Sequence, residues 1–125
     1  MDKTFRLPNG IKIGDTVHNE VILREVTAGD VIEATESAEQ AYVVHIGSQV
    51  DIHVAASPTR AGMLLLMKRM TKLGDLKMPI SEAEFKKLSA ADMSMLDKMA
   101  TELDQEVSLK LAEKVTSRGR NDSAV

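Results

Sequence analysis

The feature that most restricts this chain is a run of apolar residues near its C-terminal end that is too long for the rest of the protein to cover. Leu96, Met99, Ala100, Leu103, Val107, Leu111 and Val115 recur at intervals of three and four, the period of one buried stripe along a helix. Ser89-Ala90-Ala91-Asp92 ahead of it has the spacing of a capping box, which sets the helix start. Such a helix reaches about 26 residues, or roughly 39 Å at 1.5 Å per residue. A chain of 125 residues has the size of one domain. The first half of the stripe can therefore pack internally, while the second half must either fray or pair with another chain.

The segments before this helix punctuate themselves. TFRL, the Pro8-Asn9-Gly10 turn signal, IKI, a Gly14-Asp15 break and the β-branched EVILREV read as a small antiparallel sheet over residues 4–26. Thr27 caps a helix from Ala28 to about Gln40, with Asp30 at a position where a carboxylate favours the helix start. YVVHIGSQVDIHVAAS alternates apolar and polar residues around Gly47-Ser48 and reads as a hairpin. Ser57-Pro58 opens a second helix, expected to run to Leu73 and stop at Gly74. Ser81-Glu82-Ala83-Glu84 starts a short helix directly before the long one. The expected class is α+β: a small N-terminal antiparallel hairpin or sheet, then about four helices, the last one long. Residues 1–116 are expected to form a single domain, and the polar, aperiodic 117–125 a disordered tail.

The core must be built without large anchors, since Phe5, Tyr42 and Phe85 are the only aromatic residues beside eight methionines. Met63, Met67 and Met70 share a helical face with Leu66 and Leu73. Flexible thioethers suit an aromatic-poor interior, and equally a surface that repacks around differing apolar partners. The residues alone leave both readings open, so Met63, Met67 and Met70 are candidate partner-binding residues, with Val107, Leu111 and Val115 on the long helix.

Chemistry is sparsely provided for. Without cysteine there is no disulfide framework, thiolate nucleophile or Cys-ligated metal. His45 and His53 could face each other across the hairpin, with Asp51 nearby, but alternating strand positions more often carry such residues as surface groups, and no metal site is assigned. No nucleophile beside a base and no phosphate-binding glycine pattern is present. Neither catalysis nor a cofactor is expected. The opening residues lack a signal-peptide run and no stretch approaches a membrane span, so no membrane association is expected and the expected compartment is the cytoplasm.

Charge is segregated along the chain. No Lys or Arg lies between Arg24 and Arg60, where Glu33, Glu36 and Glu39 line one helix side, whereas Arg60, Lys68, Arg69, Lys72 and Lys77 follow closely. An acidic face of one copy against the basic face of the next would drive self-association. A nucleic-acid-associated regulator using the basic helix 60–77 is the alternative. The net charge of −3 and the lack of an aromatic platform for bases disfavour it, so no nucleic-acid partner is expected.

The segment VILREVTAGDVIEATE, followed by VAASPTRAGMLLLMKRMTKLGDLKMPISEAEFKKLSAADMSMLDKMATELD, resembles the tail assembly chaperones of Mu-like and related contractile-tailed bacteriophages. The likeness covers roughly residues 5–105 and rests on three stretches in order: Leu23 to Asp30, Ser57 to Asp75, and Leu88 to Leu96. Met93 departs from the pattern, in which an aromatic residue often follows the Asp. The resemblance implies a non-catalytic protein of the host bacterial cytoplasm, absent from the finished virion. Its implied work is to coat the tape measure protein, keep it soluble and help recruit tail tube protein. It also implies manufacture in two lengths through a ribosomal frameshift, the extension joining after Val115.

Overall fold

The computed structural model of the chain describes the backbone of residues 1–123 and the side chains of residues 1–116. The tail expected over 117–125 falls outside these fully described residues. The architecture is α+β, in the order β1 (Asp2–Ile13), β2 (Thr16–Arg24), α1 (Ala28–Ser37), β3 (Glu39–Ile46), β4 (Gln49–Ala56), α2 (Pro58–Arg69), β5 (Met70–Leu73), α3 (Glu82–Phe85) and α4 (Ala90–Ser123). It divides into two compact units, one made of Met1–Glu25 with the chain from Met70 onward, the other of Val26–Arg69.

The first unit is a three-stranded antiparallel sheet, ordered β1-β2-β5, against which α4 packs. Its interior holds Leu7, Ile11, Val21, Leu23, Met70, Leu73, Ile80, Phe85, Leu96, Ala100 and Leu103. Gly14-Asp15 makes the turn between β1 and β2, as its sequence suggests. Pro8-Asn9-Gly10 does not turn the chain. It lies inside β1, where the register slips between Arg6, opposite Glu20, and Ile11, opposite His18. Proline has no N–H for the ladder, so the strand bulges there instead.

The second departure is at β5. The expected helix to Leu73 ends at Arg69, and Met70–Leu73 pairs with β2. Leu23 faces Met70 and Ile22 faces Lys72, which leaves Thr71 as an extra residue; its hydroxyl donates to the Ile22 carbonyl at 3.2 Å. A bulge adds one to the strand period of two. Met70 and Leu73, three apart, thus both point inward in a strand, although that spacing reads as helical. Gly74 ends this strand at φ +55°, and a Cβ there would lie 2.5 Å from His18 Cβ.

In the second unit α1 packs on α2, and β3 pairs only with β4 through a two-residue turn at Gly47-Ser48. Thr27 and Asp30 form the expected reciprocal capping box, and Ser57 Oγ accepts from the Arg60 amide at 3.3 Å. The α1 helix stops at Ser37, short of Gln40, because Glu39 and Gln40 already belong to the hairpin. The Ala38 carbonyl accepts from the Ser57 amide, closing the hairpin at its base. Ala34, Ala38 and Leu66 are the buried apolar residues of this unit.

Candidate functional site

The long helix carries the first candidate surface. Ser89 and Asp92 cap each other as expected: the Asp92 amide donates to Ser89 Oγ at 3.1 Å and the Ser89 amide to Asp92 Oδ2 at 3.3 Å. Asp92 does more than cap. Fully buried, its carboxylate also accepts from the Asn9 amide at 2.9 Å and the Gly10 amide at 3.1 Å, while Asn9 Nδ2 donates to Ser89 Oγ at 2.8 Å. The bulge of β1 thus supplies the donors a buried carboxylate requires. Further along, Lys3 donates to Glu106 at 2.7 Å and lies 3.4 Å from Glu102. The hydrogen bond to Glu106 holds the Lys3 pKa above the ordinary lysine range.

With its start fixed, α4 buries Leu96, Ala100 and Leu103, half-buries Met99 and Val107, and then runs out of cover. Leu109, Leu111 and Val115 are exposed, Leu111 by 58% and Val115 by 69%. Val107 and Leu111 line a recess of about 170 Å³ with Met1, Glu25, Lys110 and Lys114. At its rim the Met1 ammonium donates to Glu25 and lowers that carboxyl's pKa.

The methionines separate. Met63 and Met67 are half-buried on α2, whereas Met70 is 3% exposed and sits in β5 opposite Leu23. The three therefore do not form one exposed helical face. The charged candidates are likewise dispersed. Lys68 meets Glu33 of the same chain at 2.6 Å, and Lys72 lies 3.4 Å from Glu20. Arg69 is buried, Arg60 half-buried, and Glu36 and Glu39 exposed. With α2 ending at Arg69, residues 60–77 do not make one basic helix.

The histidines also fall apart. His45 stands opposite Val50 and His53 opposite Tyr42, so the two do not face each other. His53 Nε2 lies 3.8 Å from Asp51. His18 is buried, and its Nδ1 accepts from the Asp75 amide at 3.0 Å. No metal-holding group of three or more such residues occurs among the described residues.

A second surface was not singled out from sequence. The β3–β4 hairpin exposes apolar side chains along its length, among them Val43, Val50, Ile52 and Val54. Cross-strand partners share a face, so Ala41 with Val54, Val43 with Ile52, and His45 with Val50 make one side almost wholly apolar. The alternation was legible, but not that this face lacks cover. No helix among the described residues is long and apolar enough to cross a membrane.

The model of the family described as tail assembly protein gp41 matches residues 7–120. The Mu-like prophage FluMu protein gp41 of Haemophilus influenzae is 32% identical over 118 residues, 94% of this chain and 87% of the relative. The probable tail assembly protein gp41 of Escherichia phage Mu is 35% identical over 115 residues, 91% and 74% of the two chains. The longer probable tail assembly protein FS-gp41 of the same phage is 35% identical over 97 residues, 78% of this chain and 49% of that one. No solved structure matches. On a family match across most of its length, supported by relatives at this identity and coverage, the chain belongs to the tail assembly protein gp41 family.

Proposed function

We infer that this protein is a non-catalytic tail assembly chaperone that binds the tape measure protein in the host cytoplasm, keeps it soluble and assists the tail tube protein to assemble around it. Membership of the tail assembly family supports the setting. The observation that carries the binding role is the uncovered end of the α4 stripe. Leu103 is fully buried, yet Leu111 and Val115, in line with it, are exposed. An apolar helical stripe that outlasts its own domain is suited to lie along another amphipathic helix, with contacts at i, i+3, i+4 and i+7. A tape measure protein presents such helices before the tube encloses it. Met67 on α2 is a further, half-buried contact candidate.

Co-expression with the tape measure protein tests this. The client should be soluble and co-purify with the native chain, and Leu111→Asp with Val115→Asp should abolish capture while melting temperature stays near the native value. Equal capture by native and doubly substituted chains would refute the assignment.

A further inference from the structure

A two-stranded ribbon is marginally stable by itself, yet β3 and β4 form a sheet with no third strand among the described residues. Their amides divide by parity. In a two-residue hairpin the residues flanking the turn, here Ile46 and Gln49, form a hydrogen-bonded pair, so odd-numbered residues of β4 direct their backbone polar groups to β3. Val50, Ile52 and Val54 direct theirs outward, along an edge open to another strand.

The sequence of that edge is complementary to itself. Val50-Asp51-Ile52-His53-Val54 reads apolar, acidic, apolar, basic, apolar. We propose that two copies of this chain pair antiparallel through the free edge of β4, with the two Ile52 residues facing each other on a two-fold axis, to make one four-stranded sheet. In that register Val50 meets Val54 of the second copy, and Asp51 meets His53. The outward amides of Val50, Ile52 and Val54 fall into hydrogen-bonded pairs, as an antiparallel ladder requires. Moving the centre to position 51 sets two Asp51 carboxylates against each other, and moving it to 53 sets His53 against His53. Centring on Val50 puts Ile52 opposite Ser48. Only the Ile52 register sets carboxylate against imidazole and apolar against apolar while matching amide direction.

The outer edge of β3 is also free of a strand neighbour among the described residues, but it has no comparable charge match. In Ala41-Tyr42-Val43-Val44-His45 the histidine would meet alanine and the tyrosine would meet Val44, with no acidic side chain on the strand segment. Pairing through β4 alone is self-limiting, because an isologous contact closes after two copies. It also joins the two apolar sides into one, bringing Val43, Val50, Ile52 and Val54 of both copies onto a common face. Edge pairing of this length is a small interface, so the dimer is reversible and depends on concentration. The pairing concerns the chain by itself and does not rest on the client assigned above.

The lack of native cysteine makes the register directly measurable. Ile52→Cys places two thiols on facing residues, about 5.5 Å apart between Cα atoms and within disulfide reach. Val54→Cys places its two thiols roughly 13 Å apart along the strands, beyond it. Under mild oxidation of the full chain, Ile52→Cys should give predominantly disulfide dimer and Val54→Cys at least tenfold less. A second arm uses charge: Asp51→His and His53→Asp should each sediment as monomer, and an equimolar mixture should form a heterodimer, since every facing pair is again acid with histidine. Equal crosslinking at 52 and 54, open-ended assembly, or a native chain that stays monomeric at high concentration would overturn the proposal. Occupation of this edge only by the tape measure protein would overturn it as well.

Discussion

Asp92 is the residue on which the first unit turns. Its buried carboxylate takes the Asn9, Gly10 and Ser89 amides, joining positions 83 apart in sequence. Asp92→Ala removes a charged acceptor and strands buried donors, so it should cost about 3 kcal/mol or more. Urea unfolding should show a lower midpoint with an unchanged slope. Gly74→Ala forces a left-handed residue, at about 1–3 kcal/mol, and drives its Cβ into His18; the melting temperature should fall by several degrees. Lys3 offers a test by pH. Its folded pKa lies above the ordinary lysine value of 10.5, through the hydrogen bond to Glu106 first. Its contribution is thus fully present below 10.5 and is lost only as pH rises through the higher folded value. Lys3→Met should flatten the alkaline end of the stability profile and leave the neutral region little changed, because this ion pair is only partly buried and open to solvent screening.

The elements show where one periodic pattern has two fates. Along α4 the same stripe passes from buried to exposed within two turns, so the cost of truncation should follow position. Leu103→Ala should lose about 2–5 kcal/mol, while Leu111→Ala should stay within about ±0.5 kcal/mol, as read by thermal melts. Met67 and Met70 make a similar pair across the α2–β5 boundary. Met70→Gln buries an amide among Leu23 and the sheet core and should destabilise strongly. Met67→Gln, half-buried on α2, should cost much less, which leaves it usable as a probe of client capture. A large loss at both positions would place Met67 in the core and leave α4 as the single client surface.

For the molecule as a whole, stability should be uneven. In the first unit Val21, Leu23, Leu73, Leu96 and Leu103 are fully buried, whereas the hairpin of the second is exposed along both strands. Hydrogen exchange of the dilute chain should therefore protect β2 amides close to the global limit and leave the outward amides of β4 nearly unprotected. Raising the concentration should slow exchange at Val50, Ile52 and Val54 before any other site. Salt separates the two routes to self-association. Glu33 and Lys68, assigned by sequence to opposite sides of a contact between copies, meet within one chain. The β4 contact carries exposed Asp51–His53 pairs beside its backbone hydrogen bonds and apolar pairs. Sedimentation should therefore show the dimer weakened but retained at high salt, and its complete loss there would restore an acidic-to-basic contact as the main one.

What the sequence determined by itself was everything whose cause lies within a few residues. Thr27 with Asp30, Ser81 with Glu84 and Ser89 with Asp92 start their helices as read, because a cap is a bond across three positions. The turn at Gly47-Ser48 and the long apolar stripe are local in the same sense. Tertiary structure decided the rest. Residues three apart, such as Met70 and Leu73, suit a helix or a bulged strand equally, and the open edge of β2 selected the strand. Pro8-Asn9-Gly10 can turn a chain or bulge it, and Asp92 claimed the two amides. Periodicity reports which side chains avoid water, but not how much surface the rest of the chain has to cover them. Leu111, Val115 and the apolar side of the hairpin are exposed for that reason.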